Sequence, residues 1–239
     1  MHSLIGSGSF MLYGFASQLR QHSSWFAALS EAQQQQLLAQ ARQLQLGADQ
    51  RLFSRGDEFD GIYVLLSGAL LIAGVHHSGR EALLTIVEAG DWIGEIALFD
   101  GKARTHDAIA SLPCQLLHLN SAALQLLVQQ DPLWWQRFGQ LLTEKMRLVF
   151  QALEDISLLP SSVRLARRLL MLCRLHQQDE RNLIPVHQEQ LGQLLSLSRQ
   201  TINQLLQQLV ASGVIRTNYG EIEVLDLKLL KQAAETPTD

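Results

Sequence analysis

The run Gly94-Glu95-Ile96-Ala97 and the pair Arg104-Thr105 place a glycine turn, a carboxylate, a guanidinium and a hydroxyl within twelve residues. If Gly94-Glu95-Ile96 opens a short helix, its first N–H groups lack intrahelical partners and can bind an anion. Arg104 adds a planar cationic fork and Thr105 a hydroxyl, a donor set that suits a phosphate. Glu95 can accept from a sugar hydroxyl. The same residues also permit a plain ion pair between Glu95 and Arg104. A second cluster runs from Gln190 to Gln207. In it Arg199 can bridge guanine O6 and N7, while Gln200, Asn203, Gln204 and Gln207 are types that can bridge adenine N6 and N7. Lys and Glu would serve solubility better. A third set, His76, His77 and Glu81, is the one grouping with metal-ligand chemistry. It lacks the alternating His-x-His of a barrel metal enzyme, and adjacent His on a strand turn point opposite ways. Neither a catalytic residue nor a metal site is expected.

These clusters need elements to hold them. Between residues 47 and 119, short β-prone runs recur at 51–53, 61–66, 69–75, 82–87, 91–93 and 114–119, with Gly or Asp at the corners. That punctuation predicts an antiparallel barrel or jelly roll. Upstream, residues 17–46 carry Phe26, Leu29, Leu37, Leu38, Ala41 and Leu44, several at i, i+3 and i+4 steps. They read as short amphipathic helices, with Ser30 and Gln33 forming a capping box. Downstream, helical periodicity returns at Ser121, and Asp131-Pro132 opens a fresh helix running to about Ile156. Leu142, Met146, Val149, Leu153 and Ile156 lie at steps of 4, 3, 4 and 3, the seam of a helix that pairs with its own copy. The same stripe also fits a helix packed on its own barrel.

Leu159-Pro160 breaks that helix. A helix over 163–177, a short strand over 183–186, a helix over 187–195, a turn at 196–198 and a helix over 199–212 follow. A hairpin then turns at Asn218-Tyr219-Gly220. In the last helix Ile202, Leu205, Leu206 and Leu209 form the buried stripe, leaving the Arg, Gln and Asn residues on the open face. Ser198 is its N-cap. The hairpin would form a wing, with Arg216, Thr217, Asn218 and Tyr219 near phosphates.

The chain has 239 residues, 47% of them hydrophobic, with 19 basic and 23 acidic side chains for a net charge of −4. Ordinary apolar content and low charge exclude disorder, and Cys114 and Cys173 alone exclude a disulfide scaffold. No stretch reaches ~18 uninterrupted apolar residues, so no membrane helix is expected. Residues 1–16 are apolar but lack a cationic start and are cut by Gly6, Gly8 and Gly14, which argues for a cytoplasmic chain without a cleaved signal peptide. Net acidity weighs against nucleic-acid binding only until it is divided. Residues 1–159 hold ten basic and fifteen acidic side chains, whereas residues 160–218 hold seven Arg and three acids, a net of +4. The part with the base-reading residues is therefore the basic part, as phosphate contact requires.

Gly56-Asp57, Ile62-Tyr63-Val64, Gly68, Gly90-Asp91, Gly94-Glu95, Arg104-Thr105 and Ser198-Arg199-Gln200-Thr201, taken in order, resemble the Crp/Fnr family of bacterial transcription regulators over residues 25–230. The resemblance implies an α+β chain: an N-terminal β-roll (a double-stranded β-helix, cyclic-nucleotide-binding-like), a long dimerisation helix and a C-terminal winged helix-turn-helix. The segments would be an N-terminal arm at 1–24, an effector domain at 25–130, the dimerisation helix at 131–158 and the DNA-binding domain at 159–239. It implies a homodimer on a two-fold-symmetric site in double-stranded DNA, each recognition helix entering one major-groove half-site. RNA polymerase is a further implied partner, and a membrane is not. Effector contacts would fall on Gly94, Glu95, Ile96, Ala97, Arg104 and Thr105, with Val149 and Phe150 where cAMP-responsive members read adenine through Thr and Ser. DNA contacts would fall on Ser198, Arg199, Gln200, Thr201, Asn203, Gln204 and Arg216, and dimer contacts on Leu142, Met146, Val149, Leu153 and Ile156.

Several residues depart from the family pattern. Val149 and Phe150 can neither donate nor accept a side-chain hydrogen bond. The residue after the Arg-Thr pair is usually small, whereas His106 and then Asp107 follow here. A nucleotide-like effector (a cyclic nucleotide or a dinucleotide) is thus expected, without cAMP's adenine being read. Gln200 and Gln204 stand where the cAMP-responsive archetype has Glu and Arg, which predicts a different half-site with Arg199 still favouring guanine. An iron–sulfur cluster is excluded because no Cys precedes Cys114. His76 and His77 read as exposed turn residues and not as haem ligands, and both Cys as free thiols. The expected protein is a dimeric regulator whose ligand shifts populations about a hinge at 156–160. Two alternatives are a family member with no nucleotide ligand and a cupin-like barrel enzyme.

Overall fold

The computed structural model describes residues 6–75, 81–175 and 182–235. It divides into two compact units, Met1–Arg147 and Leu148–Asp239.

The first unit opens with α1 (Gly6–His22), α2 (Ser24–Ala27) and α3 (Glu31–Gln40). Ser23 caps α2, and Ser30 with Gln33 forms the expected reciprocal capping box on α3. The strands are β1 (Arg42–Leu46), β2 (Arg51–Phe53), β3 (Gly61–Ser67), β4 (Leu70–Val75), β5 (Glu81–Val87), β6 (Trp92–Ile93), β7 (Asp107–Ala110) and β8 (Cys114–Asn120). Between β6 and β7 lies α4 (Ile96–Asp100), and after β8 come α5 (Ser121–Gln130) and α6 (Leu133–Leu158). The strands form two four-stranded antiparallel sheets, in the orders β1-β8-β3-β6 and β2-β7-β4-β5. This is the rolled β architecture expected from the turn punctuation.

Two strands differ from the sequence expectation. The strands begin at Arg42, not after Gly47, because Gln43-Leu44-Gln45-Leu46 alternates polar and apolar residues with a strand's period of two. Leu44 therefore packs from a strand and not from a helix. The strand that the sequence reading places at Arg104-Thr105 begins only at Asp107, as β7, whose Asp107 and small Ala108 and Ala110 carry little β propensity of their own.

The uninterrupted apolar run of β3 has a structural cause: both faces of the strand are covered. Ile62, Val64 and Leu66 pack into a helical layer with Trp25, Phe26, Leu37, Trp134 and Phe138. Tyr63 and Leu65 face the other way, against Leu70, Val87, Ile93 and Leu116. Side chains alternate across a strand, so burial on both faces removes the usual polar positions. Ala16 and Leu19 of α1 are buried in the helical layer, which makes the last turns of α1 part of this core. Trp134, Phe138 and Leu141 bind the start of α6 to the same layer.

The second unit contains α7 (Ser161–Leu175), β9 (Leu183–Ile184), α8 (Gln188–Leu195), α9 (Arg199–Ala211), β10 (Ile215–Asn218), β11 (Glu221–Val224) and α10 (Leu227–Ala233). The strands form a three-stranded sheet in the order β10-β11-β9. The hairpin turns at Tyr219-Gly220, as the Asn-Tyr-Gly signal predicts, and Gly220 takes φ 77°. The sequence reading did not include α10, whose N-cap is Asp226.

Phe138 is fully buried, with ring centroids 5.4 Å from Trp134 and 6.0 Å from Trp25. Phe138→Ala should lose about 3–5 kcal/mol of stability through lost transfer energy and a residual cavity. Chemical denaturation would then show a lower midpoint at unchanged slope.

Candidate effector site and nucleic-acid interface

In the first unit the sequence-predicted cassette is assembled around Arg104. The residue lies in the loop before β7, not on the strand itself, and only 4% of it is exposed. Its Nη1 donates to Gly94 O at 3.1 Å and its Nη2 to Gly61 O at 2.7 Å. Nη2 also pairs with the Asp60 carboxylate. The guanidinium carbon sits 4.5 Å over the Phe53 ring, 5.2 Å over Phe59 and 5.7 Å over Tyr63. Gly94 is the residue this approach demands. Its φ is 94°, and a Cβ there would collide with Arg104 Nη1 and stand 3.0 Å from Gly61 O.

Arg104 and Glu95 are not each other's partner, so the plain ion pair that the sequence also permits does not form. Glu95 is 3% exposed and pairs at 2.8 Å with Lys145 of α6, which also donates to Trp92 O. Gly94 precedes α4, Ile96 and Ala97 lie in its first turn, and Glu95 is its N-cap without a side-chain capping bond. Thr105 is exposed and its hydroxyl lies 2.9 Å from His106 Nδ1. The fit to an anion is mixed in a definite way. Arg104 Nε is buried without a protein partner, whereas its Nη2 face is already answered by Asp60.

The sequence reading missed Asp60, Tyr63, His118 and Lys145. Asp60 accepts from Tyr63 OH and lies 4.0 Å from His118 Nε2. Tyr63 and His118 are a cross-strand pair stacked at 4.3 Å. Burial alone would raise the Asp60 carboxyl. Hydrogen bonds from Tyr63 and Arg104 and the Arg104 charge outweigh it, so Asp60 stays below the ordinary carboxylate range. Burial and then Asp60 push the Tyr63 phenol far up, so it remains a donor. No local sequence pattern links residue 60 to residue 104.

In the second unit the base-reading face stands as the periodicity predicts. Ile202 and Leu206 are fully buried, Leu205 and Leu209 half-buried, and Arg199, Gln200, Asn203, Gln204 and Gln207 exposed. Ser196 ends α8 in the left-handed region and Leu197 N donates to Gly192 O at 2.9 Å, closing the turn. Ser198 Oγ accepts from Thr201 N at 3.1 Å and lies 2.8 Å from Thr201 Oγ1. The wing differs from expectation in one respect. Arg216 is engaged at 2.7 Å by its cross-strand neighbour Glu223, and Asn218 donates to Glu221 at 3.0 Å. Tyr219, at the tip, is 99% exposed.

On α6 the predicted seam is uncovered in the single chain. Leu142 is half-buried, while Met146, Val149, Leu153 and Ile156 are 45–54% exposed. Val149 and Phe150 belong to the second unit, and Phe150 is likewise exposed. His76 and His77 lie outside the described residues, as does the side chain of Glu81. Among the described residues no group of three or more His, Cys, Asp or Glu could hold a metal ion. Cys114 and Cys173 are buried free thiols. No described helix is long and apolar enough to cross a membrane.

A β-roll with a buried arginine cradle, followed by a winged helix-turn-helix with an Arg, Gln and Asn reading face, defines a DNA-binding transcription regulator with a sensory domain. Residues 43–131 match the cyclic nucleotide-binding domain and residues 163–233 the Crp-like helix-turn-helix domain. The cyclic AMP receptor protein of Thermus thermophilus is 29% identical over 183 residues, covering 77% of this chain and 83% of that relative. The CRP-like cAMP-activated global transcriptional regulator of Mycobacterium tuberculosis is 28% identical over 187 residues, covering 77% and 84%. Among solved structures, a CRP/FNR-family transcriptional regulator, also from Thermus thermophilus, superposes with a TM-score of 0.69 at 25% identity, covering 82% of this chain and all of that one. FixK2 of Bradyrhizobium japonicum shares the fold, with a TM-score of 0.72 at 15% identity and coverage of 83% and 99%. The chain belongs to the Crp/Fnr family of transcription regulators.

Glu88, in the turn before β6, is buried, and its N–H donates to the Asp91 carboxylate at 3.0 Å. Burial and the Asp91 charge push the Glu88 carboxyl up to about 8. A carboxyl raised in the folded state stabilises most when protonated. Stability therefore falls as pH rises from the unfolded value of about 4.3 to the folded one and levels off beyond it. Glu88→Gln, which cannot ionise, should show a flatter decline in denaturation midpoint between pH 6 and pH 8 than the parent protein.

Proposed function

We propose that the chain acts in the cytoplasm as a homodimeric, sequence-specific transcription regulator controlled by a nucleotide-like anion held in the β-roll. The observation that carries the dimer is the seam on α6: four large apolar side chains stand about half exposed on a regular heptad spacing. A second copy would cover them, and its symmetry would match a two-fold operator with one α9 per half-site. Arg199, Gln200, Asn203 and Gln204 are proposed to face base edges, with Ser198 and Thr201 positioning the helix start. RNA polymerase is the proposed further partner, since regulators of this class act on transcription.

For the effector, Arg104 and the Gly94–Ala97 backbone supply the anion-binding chemistry, and Glu95 a carboxylate for a sugar hydroxyl. An anion reaching the Arg104 Nη2 face must displace Asp60, so binding exchanges one carboxylate partner for another anionic group. The ligand then regulates only by its difference in affinity between DNA-competent and incompetent states. A second reading, regulation without a nucleotide, is favoured by that same Arg104–Asp60 pair, which answers the guanidinium's charge from within the protein.

Two experiments test this proposal. Val149→Glu places a charge on the seam and should convert dimer to monomer in sedimentation velocity; an unchanged dimer removes the seam from the interface. Cyclic AMP, cyclic GMP and cyclic di-GMP should be screened for a thermal shift measured against each variant's own unliganded melting point. The shift given by the active nucleotide should vanish in Arg104→Ala. A shift kept at full size removes Arg104 from the site, and no shift from any nucleotide favours the second reading.

A further inference from the structure

The segment from Val186 to Val224, spanning α8, α9 and the hairpin, contains two cations, Arg199 and Arg216, against Glu189, Glu221 and Glu223. With His187 neutral its formal charge is −1. Of the net +4 of residues 160–218, Arg164, Arg167, Arg168 and Arg174 of α7 and Arg181, less Asp179 and Glu180, carry +3, and the reading elements up to Asn218 carry +1. On α7, Arg167 is tied to Asp155 at 2.8 Å and to Ala234 O at 3.0 Å, and Arg164 and Arg168 are half-buried. In the wing Arg216 is held by Glu223. Arg199 shares a cleft of about 300 Å³ with Glu189 and Gln193 at the turn between the two helices. The exposed face of α9 thus presents one guanidinium among the amides of Gln200, Asn203, Gln204 and Gln207.

We infer that this head reads its operator through adenine-directed amide hydrogen bonds arranged about a single guanine contact, with little electrostatic attraction to phosphates. The inference rests on α9 being the DNA-reading helix and names what that helix selects. An amide carries no net charge and releases no condensed counterion, but its paired donor and acceptor match the N6 and N7 edge of adenine. Arg199 and Asn203 stand one turn apart, as do Gln200 and Gln204, a rise of about 6 Å. That is close to two steps of B-DNA at about 3.4 Å each. The favoured half-site therefore holds one guanine and at least two adenines within about five base pairs. The acids beside the cations (Glu189, Glu221 and Glu223) lower affinity for DNA of arbitrary sequence.

The test is site selection from random duplexes at low salt with the full-length protein. It is run without nucleotide and with cyclic AMP, cyclic GMP or cyclic di-GMP, and is followed by a salt titration on the winning site. The expected consensus is a palindrome with a guanine and two or more adenines per half-site. With Arg199 and Arg216 of two heads as the cations that meet the DNA, about four counterions are released, so the slope of log K on log salt should be no steeper than about −4. Gln204→Arg should exchange one adenine for guanine and steepen the slope by about 2. A consensus without adenine, a slope of about −6 or steeper, or an unchanged consensus for Gln204→Arg overturns the inference while the DNA-reading role stands. Retention of no duplex under any condition overturns that role and the inference with it.

Discussion

A guanidinium sealed inside a β-roll must have its charge and its N–H groups answered by protein, since an unpaired buried charge costs several kcal/mol. Arg104 meets that demand at Nη1 and Nη2 with Asp60 and two backbone carbonyls and lays its charge over three aromatic faces, leaving only Nε unanswered, and the surrounding sequence is shaped by it. Residue 94 has to be glycine because Arg104 occupies the space of a side chain. Tyr63 answers the remaining lone pairs of Asp60 and stacks on His118, which carries the same network from β3 to β8. The residue best suited to bind an anion is thus also the residue that organises the interior of the roll. A ligand that takes over part of its coordination acts on packing and charge together, which is how a small molecule can alter the stability of a domain state.

The second unit follows a different physical plan. Its helices pack through Leu191, Leu194, Leu195, Ile202 and Leu206, leaving the polar face of α9 to solvent. Four of the nine basic residues of the unit sit on α7, while the reading helices and wing are nearly neutral. Hydrogen bonds to base edges specify, and cations position.

Much of the local architecture was legible in the sequence because its causes are local. The Ser30–Gln33 capping box, the Ser198 cap, the hairpin at Tyr219-Gly220 and the α9 stripe each depend on residues within one or two turns of one another. The pairing of Arg216 with Glu223 was also within reach, since a turn centred on residues 219 and 220 sets residue 216 opposite residue 223. Alternation in Arg42–Leu46 was hidden by its glutamine-rich surroundings, which favour a helical reading. The small residues of β7 gave no periodic signal, because that strand is held by pairing with β2 and β4.

The sequence by itself determined the order of elements, the residue types available to each site and the spacing of the α6 seam, because helix and strand periods operate between near neighbours. Only the tertiary structure decided which charges meet. Arg104 found Asp60 and not Glu95, and Glu95 found Lys145, across separations of 44 and 50 residues. The physical reason is that burial makes the partner of a charge a matter of three-dimensional neighbourhood. The energy depends on distance and dielectric once water is gone, and neither is written in the spacing along the chain.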